Sequence, residues 1–346
     1  MRRRRPQQSP HANSPSGKGH GFGQKWPIGT ATGRISLTID LLAQFCSQFR
    51  RNFGLNKGKA NHESRAVPSN IPYADPDQAR LPVPKVHSLA QLTAGAPWRL
   101  ELHHARAAHL LIWTTRGQGI CTLGGLRRGL GAHNLLVIPA GTLMSIDFGK
   151  QGFAQAVEIP TKCGVALPDE PMILRLRDAQ TQGELTAILD AMTREQNAAR
   201  PFVGEAMLAQ GALLSVWLRR ALLAEEDVPR QNAAERLTRA FTALVARDYQ
   251  SGKPMADYAA ALGVTPTHLT RSCKQVTGQT AADLITEATL HAARERLERG
   301  ALPIQTIAAE LGFGSAAYFT RFVQHHTSRT PSALRKFAQD RSRASP

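Results

Sequence analysis

The feature that most constrains this chain is a pattern that occurs twice near its C-terminus, with equivalent positions Thr265 and Ser315 lying 50 residues apart. In the first copy, Met255–Leu262 carries the small residues Ala256, Ala259, Ala260 and Ala261 and reads as a short helix. Gly263 follows where the chain needs a tight turn, since a positive φ costs glycine little. Thr265 can cap a new helix and Pro266 suits its first position. On that helix Leu269, Cys273 and Val276 share an apolar face, and Thr267, His268, Thr270, Arg271, Lys274 and Gln275 share a polar one. Gly278 ends it. In the second copy Ile304, Ile307, Ala308 and Leu311 form the apolar stripe, Gly312 takes the turn and Ser315 caps a helix reaching about His326. There Phe319, Phe322 and Val323 supply apolar bulk, while Ala316, Ala317, Thr320, Arg321 and Gln324 face outward. Two short helices joined through a glycine, the second presenting a polar and basic face, have the geometry that enters a DNA major groove.

Between the copies, Ala281–Arg299 reads as one helix carrying Leu284, Ile285, Ala288, Ala292 and Leu297. At 1.5 Å per residue it spans roughly 28 Å, close to the ~34 Å that separates successive major grooves on one face of DNA. One chain could therefore read two adjacent grooves. The charge agrees. The 346 residues carry a formal net charge of +17, distributed as +9 over residues 1–80, +2 over 81–230 and +6 over 231–346. A basic C-terminal domain suits a polyanion, because neutralising phosphates releases counterions.

Ahead of this domain the chain changes character twice. Residues 1–80 open with Arg2, Arg3, Arg4 and Arg5, are rich in Pro, Gly and Ser, and read as a disordered basic tail; Ile35–Phe53 has the spacing of an amphipathic helix. Residues 81–228 read as a second domain. Short apolar runs at Trp98–His103, His109–Thr115, Gly119–Leu123, Asn134–Ile138, Leu143–Phe148 and Phe153–Ile159 alternate with turn signals, which predicts an antiparallel sandwich or small barrel able to enclose one small ligand. From Gly183 to Glu226 the period turns helical. Leu185, Ile188, Leu189 and Met192 mark one helix; Met207, Leu213, Leu214, Val216, Trp217, Leu218, Leu222 and Leu223 mark another, which must bury against its own barrel or a twin helix of a second copy. Glu225–Asn232 reads as the linker to the last domain, 233–340. The fold class is thus multidomain: a β-barrel or sandwich with a helical linker, then an all-α domain of two helix-turn-helix units.

No run of about 18 apolar residues occurs, so no membrane-spanning helix is expected. Cys46, Cys121, Cys163 and Cys273 are scattered, without a zinc-ligand spacing, which fits a reduced cytoplasmic chain without structural disulfides. No catalytic residue, metal ligand or cofactor is assigned.

The second copy carries a longer pattern, Ile307-Ala308-x-x-Leu311-Gly312-Phe313-x-Ser315-x-x-Tyr318-Phe319-x-Arg321, followed by Thr330-Pro331-Ser332-x-x-Arg335. This resembles the signature of the AraC/XylS family of bacterial transcription regulators. The resemblance implies a DNA-binding domain over about the last hundred residues, with contacts at Thr267, His268, Thr270 and Arg271 in the first recognition helix and Ala316, Ala317, Thr320 and Arg321 in the second. Arg271 and Arg321 are the strongest candidates for base readout, because arginine can bind guanine with two hydrogen bonds; Lys274 suits a phosphate. Three positions depart from the signature: Ser328 stands where a helix-ending Gly is usual, Leu334 for Tyr, and Thr289 for Arg.

The same resemblance implies a cupin-like sensor barrel, and Asn134–Thr142 is similar to the strand and turn of such sensors. His103, His104, His109 and His133 do not reproduce the metal spacing of enzymatic cupins, and Met144 lies where relatives often have His. Adjacent His103 and His104 would face opposite sides of a strand. Trp98, His103 and Trp113 are the candidate effector-pocket residues. The implied partners are double-stranded DNA, a small effector, RNA polymerase if the protein activates, and a second copy of the chain. A cupin-type metal enzyme with a DNA-binding appendage and an architectural DNA-binding protein are the alternatives.

Overall fold

The computed structural model describes residues 82–149, 151–198, 200–224, 231–300 and 302–344; the basic tail and the amphipathic Ile35–Phe53 stretch lie outside them. In chain order the elements are β1 (Lys85–Ser88), α1 (Leu89–Thr93), α2 (Trp98–Glu101), β2 (His109–Arg116), β3 (Gly119–Leu123), β4 (Leu126–Leu130), β5 (Asn134–Ile138), β6 (Met144–Asp147), β7 (Phe153–Ile159) and β8 (Met172–Arg175). Helices follow: α3 (Ala179–Asn197), α4 (Val203–Leu223), α5 (Ala233–Asp248), α6 (Met255–Ala261), α7 (Pro266–Thr277), α8 (Ala281–Arg299), α9 (Ile304–Glu310), α10 (Ala316–Thr327) and α11 (Pro331–Ala344).

The strands form two antiparallel sheets, ordered β1-β7-β2-β5-β8 and β4-β3-β6, so the expected sandwich is present. The apolar runs of β2 and β5 lack alternation because the larger sheet is covered on both faces. Leu110, Ile112, Leu136 and Ile138 point toward the smaller sheet and join Cys121, Leu123, Met144 and Ile146 there. Leu111, Trp113, Leu135 and Val137 point the other way and pack against Leu185, Leu189, Met192, Leu214 and Trp217 of α3 and α4. The space between the sheets is therefore filled by side chains. The apolar helix α4 buries against its own sheet, while Leu213 and Leu223 stay 53 % and 87 % exposed.

Trp98–His103 is not a strand. Pro97, at φ −52°, starts a short helix whose last turn returns the Leu102 N–H to the Trp98 carbonyl, and only His104 bridges to Met144 in sheet fashion. Strand β4 was not expected either. It is an edge strand whose Arg127, Arg128 and Gly129 are exposed, and charge on an edge hides strand character while it blocks edge-to-edge pairing.

The C-terminal domain is built on α8. Leu284 and Ala288 in its first half share a core with Phe241, Val245, Tyr258, Leu269 and Cys273. Ala292, Ala293 and Leu297 in its second half share another with Ile307, Leu311, Phe319, Val323 and Leu334. The two units also touch where Gly252 and Gly312 meet: a Cβ on Gly252 would stand 2.5 Å from the Gly312 carbonyl oxygen, and both glycines have positive φ. Ser328, which ends α10, is held at φ 55° in the left-handed region, so the departure from Gly stores backbone strain rather than changing the turn. Replacing Ser328 by Gly is expected to raise unfolding stability by about 1 kcal/mol. Gly252→Ala is expected to lower it by at least as much, since strain and a steric clash add. Urea unfolding of the two variants checks the opposite signs.

Candidate nucleic-acid interface

Each recognition helix is started by the cap that the sequence indicates. The Thr265 hydroxyl accepts from the His268 N–H at 3.2 Å, and the Ser315 hydroxyl accepts from the Tyr318 N–H at 3.1 Å. These caps satisfy donors that the first turn leaves unpaired. The apolar residues packed into the cores set the rotation of each helix, and so which residues leave the core. In α7, Leu269 and Cys273 are fully buried, while Thr267, His268, Arg271, Lys274 and Gln275 are exposed and Thr270 is half-buried. In α10, Phe319 and Val323 are buried; Ala317, Arg321 and Gln324 are exposed, and Ala316 and Thr320 are half-buried. The Thr320 hydroxyl donates to the Ala316 carbonyl at 2.8 Å, which leaves it only an accepting role toward a ligand.

Among the described residues neither Arg271, Lys274 nor Arg321 makes an ion pair, although neighbouring arginines do: Arg296 with Glu310 at 3.5 Å and Arg299 with Glu295 at 2.8 Å. Uncompensated cations thus lie on the two polar faces, where phosphates or guanine edges would meet them.

Two capped helix-glycine-helix units braced by one helix define a domain of the double helix-turn-helix class. Residues 258–336 match the family described as "Helix-turn-helix domain". The chain is 34 % identical over 130 residues to the HTH-type transcriptional regulator GlxA of Rhizobium meliloti, covering 36 % of this chain and 40 % of that relative, so the chain spans less than half of that relative's length. Among solved structures it is similar to ToxT from Vibrio cholerae in an unsaturated fatty acid-bound form, at 12 % identity and a TM-score of 0.36, covering 74 % of this chain and 94 % of that one. It is also similar to the C-terminal domain of AraT, a response regulator from Geobacillus stearothermophilus, at 27 % identity and a TM-score of 0.28, covering 32 % and 88 %. Residues 258–336 thus form a helix-turn-helix domain.

The three candidate effector residues do not share a pocket. Trp113 packs under α3 and α4, whereas Trp98 and His103 lie at a junction between the sandwich and α8. There His103 and His104, expected on opposite faces of a strand, both turn to α8 because their segment is not a strand. His103 Nδ1 is 2.6 Å from Glu287 Oε2 and its Nε2 is 3.3 Å from Ser145 Oγ. The His104 ring stacks on His291 at 4.1 Å. Trp98 sits edge-on to His291 and under the Arg294 guanidinium at 4.2 Å. Buried Glu298 receives Arg99 at 3.0 Å and Arg341 at 3.3 Å. On the first unit, Leu143 enters the core around Phe241, and Arg128 pairs with Glu235 at 3.5 Å. His109 is used elsewhere, its Nδ1 accepting from the Ala140 N–H at 3.2 Å.

Sequence reasoning missed Glu287, His291, Arg294 and Glu298. Their signal was present: polar residues spaced four, three and four apart make a second stripe on α8 beside its apolar one. Burial raises the Glu287 carboxyl, but the hydrogen bonds and charge of His103, with help from Gln279, outweigh it and hold the group below the ordinary value. Burial, opposed by Glu295 and by the hydrogen bond to the Arg99 carbonyl and reinforced by the charges of Arg106 and Arg99, holds His291 down at about 4; burial and the His291 neighbour hold His104 well below its ordinary value. As pH falls through the unfolded value of 6.5, the unfolded chain therefore takes up protons that these folded imidazoles refuse. Stability from this junction is whole above that pH and declines toward pH 4. The melting temperature is expected to fall between pH ~7.5 and ~5, and His291→Gln to reduce that fall; an unchanged pH slope in the variant would show that His291 is not responsible.

Proposed function

We propose that the chain is a sequence-specific DNA-binding transcription regulator that sets α7 and α10 in adjacent major grooves, under control of a small effector sensed by the N-terminal domain. The observation that carries this reading is the pair of identically capped helices whose outward cations lack partners among the described residues. Thr267, His268, Thr270 and Arg271 would read the first groove, with Lys274 on a phosphate. Ala316, Ala317, Thr320 and Arg321 would read the second, where the alanines can only touch a thymine methyl. The first helix therefore carries more of the readout. The relative's name, a transcriptional regulator, supports a non-enzymatic role and a place in the cytoplasm where DNA is found. A second copy of the chain pairing through the exposed Leu213 and Leu223 of α4 fits the same reading, as does RNA polymerase for an activator.

In a competition assay, Arg271→Ala and Arg321→Ala are each expected to lower the ratio of specific to non-specific DNA affinity about tenfold, as the loss of a two-hydrogen-bond guanine contact would. Footprinting is expected to protect two adjacent major grooves at one defined sequence. An unchanged ratio in both variants would overturn the docking assignment, and uniform protection would favour an architectural protein instead.

A further inference from the structure

A cleft of about 670 Å³ opens where the segment from Arg99 to Ala108 and the Pro160–Lys162 turn face α8. That volume is ordinary for a small-molecule site. Its chemistry is lopsided. The sandwich contributes Arg99, Arg106 and Lys162, and α8 contributes Arg299, against two carboxylates, Glu158 and Glu295. Those carboxylates occupy two of the four cations, Glu158 with Arg106 at 3.4 Å and Glu295 with Arg299 at 2.8 Å, and Arg99 is held by Glu298 at 3.0 Å. Lys162 has no ion-pair partner among the described residues. The Nε groups of Arg99 and Arg106 are buried without a hydrogen-bond partner, and buried donors left unpaired are costly.

The most informative group is His104, which lines the cleft and is 5 % exposed. Its Nδ1 lies 2.9 Å from the Leu102 carbonyl oxygen. A carbonyl only accepts, so Nδ1 carries the ring hydrogen and Nε2 of the neutral ring is an acceptor. That Nε2 is buried and has no partner. This acceptor wants an O–H or N–H donor; a hydroxyl supplies one without adding positive charge beside guanidinium and ammonium groups, which favour negative oxygen atoms.

We propose that this cleft binds a small hydroxylated oxyanion, a hydroxycarboxylate or a sugar phosphate, whose charged oxygens are held by cations of both domains and whose hydroxyl donates to His104 Nε2. Such a ligand would bridge the sandwich to α8, and this consequence rests on the regulator reading; binding itself does not. The site lies outside the filled space between the sheets, so the effector would act at the junction rather than within the barrel.

The test is calorimetric titration of the full chain, without DNA and at matched ionic strength. The probes are citrate, propane-1,2,3-tricarboxylate (citrate without its hydroxyl) and glycerol 3-phosphate. Saturable one-site binding of citrate or glycerol 3-phosphate is expected, and whichever binds more tightly separates a carboxylate from a phosphate source. The tricarboxylate should bind about tenfold more weakly than citrate, the effect of leaving one buried acceptor unpaired. Lys162→Gln on the sandwich and Arg299→Gln on α8, both exposed side chains, should each weaken binding by a similar factor, and Arg219→Gln on α4 should not. Three results would overturn the proposal: no saturable binding of either hydroxylated probe, equal affinity for citrate and its deoxy counterpart, or loss in only one of the two cleft variants. Failure of DNA binding with these titrations intact would count against the regulator reading alone.

Discussion

The C-terminal third of the molecule depends on a single helix that three neighbours share. The first half of α8 supplies Leu284 and Ala288 to one helix-turn-helix core, and its second half supplies Ala292, Ala293 and Leu297 to the other. A third side presents Glu287, His291, Arg294 and Glu298 to the sandwich. The helix is capped at both ends, by a Thr280–Asp283 capping box and by Gly300 in the left-handed conformation, so it behaves as one rigid body over its length. Packed interiors move between discrete arrangements rather than deforming smoothly. A displacement at the junction must therefore be passed to both recognition helices together, since each is packed on the same rod.

The character of the contacts differs along that rod. The faces toward the two helix-turn-helix cores are apolar and fully buried, with Leu284, Ala293 and Leu297 at 0 % exposure. The face toward the sandwich is held by charge pairs, stacked imidazoles and a cation over an indole. Removing the sandwich from α8 would rehydrate charged groups, which recovers part of the lost interaction, whereas separating either apolar core exposes surface that water does not compensate. The junction is thus the weaker joint by construction, and it is also where the cleft lies. That arrangement makes the relation between the sandwich and the C-terminal domain adjustable while leaving the C-terminal domain itself intact.

Much of this was legible in the residues. The doubled helix-glycine-helix pattern, both caps, the bounds of α8 and the buried faces of α7 and α10 follow from local rules: glycine conformational freedom, the cap preference of Thr and Ser, and a period of 3.6. The sandwich was legible as a class, but Trp98–His103 was not, because Pro97 and the chain's need to run along α8 decide its shape and neither appears in the alternation of its side chains. Strand β4 was hidden by its own edge position. The effector candidates Trp98 and His103 were singled out as aromatic and imidazole groups in an apolar setting, and that setting proved to be the contact with α8, with Trp113 on the far side of the sheet. Contacts 184 to 199 residues apart in the chain, such as His103–Glu287 and Arg99–Glu298, leave no local trace, so the junction could only be seen in three dimensions.

The meeting of Gly252 with Gly312 has a consequence for the nucleic acid rather than for the protein. With backbone against backbone and no side chain between, the two units have no soft layer across which to slide or tilt, and α8 sets their separation from the other side. A reader of that kind cannot adjust its own span to the helical repeat. On the regulator reading, any mismatch between that span and the pitch of the duplex has to be taken up by curvature of the DNA. The base pairs between the two grooves would then be selected for how easily they bend, although no side chain touches them.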